Sequence, residues 1–152
     1  MDFNPEQLKL IAEAPIQIMK GMMTSDLGGV IRMIRETAAA FDYVTNAQAR
    51  FKDNKLVQQA VARFIEFTQK GADDPTSSDP QAPMSQDDFQ AYYTKVAFVI
   101  GDSPDATDFK KFLYGLAEAV AGAAGKGLLG RGSGVSTEEQ GFLDKLKALF
   151  KL

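Results

Sequence analysis

The 152-residue sequence contains no cysteine, no histidine and no tryptophan. Without cysteine there is no disulfide framework, no thiolate nucleophile and no Cys-ligated zinc or iron–sulfur cluster. Without histidine the chain lacks the commonest general base and the commonest transition-metal ligand. The Ser-His-Asp, Cys-His and His-ligated zinc mechanisms are excluded together. Carboxylates, Lys, Ser and Tyr remain, and no catalytic motif assembles them, so the expectation is a non-enzymatic protein without a cofactor. No stretch approaches the roughly 18 unbroken apolar residues of a membrane span. The start (Met1, Asp2, Phe3, Asn4, Pro5) has neither the basic region nor the apolar run of a secretion signal, which makes a cytoplasmic location the expectation. Alternating strand patterns and hairpin turn signals are also missing.

What is present is the material of an ordinary globular domain: 45% hydrophobic and 24% charged residues. The chain length suits one compact domain over residues 1–152. A net charge of -3 argues against a general nucleic-acid binder, which is usually basic on one face.

Helical periodicity accounts for most of the apolar residues. Asn4 and Pro5 open a first helix carrying Leu8, Ile11, Ile18, Met19 and Met22, with Pro15 expected to kink or split it. Ser25 or Asp26 begins a second, whose stripe is Leu27, Val30, Ile31, Ile34, Ala38 and Phe41. A third runs from about Asn54 with Val57, Ala60, Val61, Phe64 and Phe67. A segment at about 71–84, rich in proline and aspartate and without periodicity, reads as a long acidic loop inside one fold. Ser85 opens a fourth helix with Phe89, Tyr92, Tyr93, Val96, Val99 and Ile100, and Gly101 stops it. One of the two adjacent tyrosines is expected inside and the other exposed. Ser103 and Pro104 start the fifth, with Phe109, Phe112, Leu113, Leu116, Val120 and Ala123. After a glycine-rich loop, Ser136 and Glu139 form a capping box for the last helix, which carries Phe142, Leu143, Leu146, Leu149 and Phe150. The fold class is therefore all-α, a bundle of about six helices.

The glycine-rich loop is the least ordinary stretch. Residues 125–130 match G-x-G-x-x-G, but a helix stands where the dinucleotide fingerprint needs a strand. Lys126, Arg131 and Ser133 place two cations and a hydroxyl before a helix N-terminus, a candidate site for an anion or small ligand. Ending helix five is the simpler role for these glycines. Asp102, Asp105 and Asp108 are candidate metal ligands, disfavoured because Pro104 and Ala106 break the calcium-loop pattern. Helix capping explains them better.

Several segments carry a resemblance. Phe109, Lys110, Lys111, Phe112 and Leu113 are followed by Ala117, Glu118, Ala119, Val120 and Ala121, then by the glycine loop and Val135, Ser136 and Glu139. Together with Glu13, Ala14 and Pro15, and with Asn54, Lys55, Leu56 and Val57, this pattern resembles a family of small bacterial all-α proteins of uncharacterised function. More distantly it is similar to tellurite-resistance (TerB-like) domains. That resemblance implies an all-α fold and, for some members, metal binding in a stress-related role; here Gly125, Lys126 and Gly127 stand where Asp-Gly is expected. The leading functional expectation is a protein-interaction or structural helical module, with a protein partner or a second copy of itself. Anion or small-ligand binding through the glycine loop and a carboxylate metal site are the alternatives.

Overall fold

The computed structural model describes residues 2–23, 29–70, 85–125 and 137–152. It places among them six helices and no strand: α1 (Pro5–Met23), α2 (Gly29–Arg50), α3 (Lys55–Lys70), α4 (Gln86–Ile100), α5 (Pro104–Gly125) and α6 (Thr137–Phe150). The all-α bundle is thus as its periodicity indicates. The acidic loop, the proposed start of the second helix at Ser25 or Asp26, and Ser136 of the capping box lie outside the described residues.

Local chemistry sets the helix ends. Asn4 and Gln7 cap α1 reciprocally, each side chain accepting the other's backbone N–H at 2.9 Å. The Ser85 hydroxyl accepts from the Asp88 amide at 3.1 Å and starts α4. Gly101 ends α4 at φ 71, in the left-handed region that glycine occupies without a Cβ clash. Ser103 caps α5 by accepting from the Ala106 amide at 3.2 Å. Asn54 caps α3 through the Val57 amide at 3.1 Å. Its own amide group donates to the Asp105 carbonyl at 2.8 Å, which ties the starts of α3 and α5 together.

One core joins helices from both sides of the acidic segment. α1 is central, packing on α3, α4 and α5, while α2 packs chiefly on α5 and α6 on α4 and α5. Phe89 of α4 stacks edge-on with Phe142 of α6 at 4.7 Å, and Phe112 of α5 meets Tyr43 of α2 and Phe51 of the turn after it at 6.0 and 6.3 Å. The expected stripes of α3 and α5 are inside, except that Ala123 is only half-buried. α2 differs from expectation. Among its described side chains Ala40, Val44 and Ala47 are the buried apolar ones and Glu36 is buried with them, whereas Phe41 is 43% exposed and Ala38 is exposed; Leu27 and the side chains of Val30, Ile31 and Ile34 from the expected stripe lie outside those described. Along the last half of α2 the inward face is therefore that of Ala40, Val44 and Ala47, and α2 packs chiefly on α5.

Pro15 neither splits nor ends α1, which runs through it. Proline removes an amide donor and crowds the carbonyl four residues back, which is that of Ile11. Here both tyrosines of α4 turn toward α1. The Tyr92 hydroxyl donates to the Leu10 carbonyl at 2.6 Å, and the fully buried Tyr93 hydroxyl donates to the Ala14 carbonyl at 2.5 Å. This corrects the expectation of one inward and one outward ring. Burial pushes both phenols above their ordinary pKa, so they remain donors at neutral pH. Tyr93→Phe is expected to lower stability by about 1 kcal/mol, the net worth of one such bond, as read from the midpoint of urea unfolding.

Candidate functional site

The polar groups of the interior serve the scaffold. Lys110 is 4% exposed, and its ammonium donates at 2.8 Å both to the Gly101 carbonyl and to Asp102 Oδ1. A cation at the C-terminal end of α4 meets the negative end of the helix dipole, and its hydrogen bond holds the Asp102 carboxyl below its usual range. Lys20, Glu36 and Glu139 are also buried, on α1, α2 and α6, and each has an interaction partner. Among the described residues no buried side-chain nitrogen or oxygen lacks a hydrogen bond.

The aspartates proposed for metal binding are not gathered. Asp102 is engaged by Lys110, and Asp108 lies 3.8 Å from Lys111. Asp105 is exposed in the first turn of α5, where its negative charge suits the helix start. Among the described residues no three acidic side chains come together as a metal would require. Lys126, Arg131 and Ser133 lie outside the described residues. Among those residues no helix is long and apolar enough to cross a membrane.

The surface is where unassigned chemistry remains, and the outer face of α4 is its most unusual part. Phe98 is 87% exposed, far beyond any other large apolar side chain described. Asp87, Gln90, Ala91, Thr94 and Lys95 line the same shallow hollow, all on one helical face and all exposed. Their spacing explains the arrangement, because residues three, four, seven and eight apart stack on one side of a helix. The opposite side of α4, carrying Phe89, Tyr93, Val96 and Ile100, holds the helix against the core. The exposed face is thus rigidly presented. Phe98 was absent from the sequence-derived stripe, and its falling out of register was the available signal.

No family model matches the chain, and neither a curated protein nor a solved structure matches it.

Proposed function

We propose that the protein is an interaction module that associates with a second copy of itself through the outer face of α4. The observation that carries this reading is the exposed Phe98 on a helix otherwise fixed in the core. The ring shares a shallow hollow with Ala91 and is flanked by charges of both signs, an apolar centre with a polar rim as interfaces have.

Charge order selects the second copy as the occupant. A two-fold interface must be self-complementary, so that residue i meets residue j and j meets i. Asp87 and Lys95 stand four residues either side of Ala91. In an antiparallel pair of α4 helices with the axis at Ala91, each Asp87 faces the other copy's Lys95. Ala91 at the centre lets the backbones come close, and each Phe98, seven residues beyond the axis, packs beside the N-terminal end of the facing helix. Such a contact is small for a specific interface, so affinity in the micromolar range, about 1–100 μM, is expected.

Charge reversal tests this directly. Asp87→Lys and Lys95→Asp each put like charges face to face, and each variant alone is expected to sediment as a monomer. Mixing the two restores both pairs, so a heterodimer forms from two monomeric proteins. Failure of the mixture to associate, or undiminished dimers of each single variant, overturns the proposal.

A further inference from the structure

A second surface is built differently and lies on other helices. The last half of α2, the middle of α5 and the last turn of α6 enclose an open groove of about 890 Å³. Its floor is aromatic. Tyr43 and Phe51 rest on the buried Phe112, and Tyr114 flanks them. Gly115 shapes this floor, since a Cβ there would overlap the Tyr43 hydroxyl. The phenols of Tyr43 and Tyr114 are raised above their ordinary pKa, first by burial, so both are hydrogen-bond donors at neutral pH.

The rim is cationic in a chain whose net charge is -3. Arg50, Lys111 and Lys147 surround the groove, against a single lining side-chain carboxylate, Glu118; Leu152 completes the rim. Countering the helix dipole accounts for Arg50 and Lys147 one at a time, because each lies in the last turn of its helix. It does not account for Lys111, which reaches the same rim from the middle of α5. The contact of Lys111 with Asp108, at 3.8 Å between exposed groups, holds it weakly. Arg50 and Glu118 both act on Tyr43, and Glu118 and Asp144 act on Tyr114.

From this geometry we infer that the groove binds an acidic peptide segment with interspersed apolar or aromatic side chains. Carboxylates meet Arg50, Lys111 and Lys147, and apolar side chains lie on Tyr43 and Phe51. The groove is open along its length, so a small ligand would stay largely exposed, whereas enclosing pockets bury most of a ligand's surface. An extended segment uses the full length of such a groove. The electrostatic share makes binding sensitive to salt.

The test is fluorescence anisotropy with a labelled peptide of alternating Asp and Leu or Phe, against a peptide of the same apolar pattern with Lys in place of Asp. The acidic peptide is expected to bind, weakening as salt rises, and the basic one is not. Arg50→Glu combined with Lys147→Glu is expected to weaken binding about tenfold or more, with the helical circular dichroism unchanged. Phe98→Glu, on α4 and outside the groove lining, binds the acidic peptide as the wild type does, which separates this site from self-association through α4. Equal binding of both peptides, a response to inorganic phosphate alone without one to the peptide, or full affinity in the double charge reversal overturns the assignment.

Discussion

Phe112→Ala is expected to cost about 3–5 kcal/mol, as emptying a fully buried phenylalanine site does. The ring touches Tyr43, Phe51 and Phe109, with centroids 6.0, 6.3 and 5.9 Å away, so truncation leaves aromatic neighbours facing a void. A loss of that size is a large part of the roughly 5–15 kcal/mol that stabilises a domain. The site lies where α2 packs on α5, the most extensive helix pairing described in the fold. Phe41→Ala provides the contrast. That ring is 43% exposed, so its removal is expected to cost about 1 kcal/mol or less. Urea unfolding of the two variants side by side checks the register of α2. Equal losses would mean that Phe41, and not the face of Ala40, Val44 and Ala47, is turned inward.

Gly21→Ala is expected to destabilise the protein, against the usual sign. In a helix interior that change ordinarily stabilises by about 1 kcal/mol, because alanine has the higher helix propensity. Gly21, however, lies inside α1 against α4, and a Cβ built on it would overlap the Phe89 ring. The ring has nowhere to withdraw: it is 1% exposed and held at 4.7 Å by both Tyr93 and Phe142. Overpacking of this kind costs about 1–3 kcal/mol, enough to outweigh the propensity gain. Phe89→Leu in the Gly21→Ala background recovers part of the loss, a coupling that a double-mutant cycle measures. A higher melting temperature for Gly21→Ala alone would show that the two helices are not in close contact there.

The parts of this fold that could be read from sequence are those governed by local rules. The stripe of α3 (Val57, Ala60, Val61, Phe64 and Phe67) follows from helical periodicity, and all five residues are buried. Ser85, Ser103 and Gly101 mark helix ends through their own backbone chemistry, and each does so in the structure. Features that depend on a distant partner were not legible. Nothing local distinguishes Lys110 from its exposed neighbour Lys111, since what buries Lys110 is the carbonyl end of another helix. The tyrosine hydroxyls that bond the Leu10 and Ala14 carbonyls on either side of that freed by Pro15 come from 82 and 79 residues away, so nothing local announces them. Glu139 was read as the capping-box partner of Ser136; its burial, at 1% exposed, follows from the packing of α6 and not from that local pattern.

The candidate surfaces divide in the same way. Asp87, Ala91, Lys95 and Phe98 share a helical face by spacing alone, so their grouping was available to sequence reasoning once the core side of α4 was known. The aromatic groove was not, because it gathers Arg50, Lys111 and Lys147 from three helices far apart in the chain.

The absence of cysteine gives the central claim a clean test. A single Ala91→Cys substitution places one thiol per chain at the expected two-fold axis, where a disulfide needs Cα atoms about 4.4–6.8 Å apart. Mild oxidation at concentrations that populate the dimer is expected to link Ala91→Cys chains rapidly into covalent dimers. Gln48→Cys, at an exposed position on α2, should remain largely unlinked under the same conditions. Equal slow cross-linking of both variants would contradict self-association through α4.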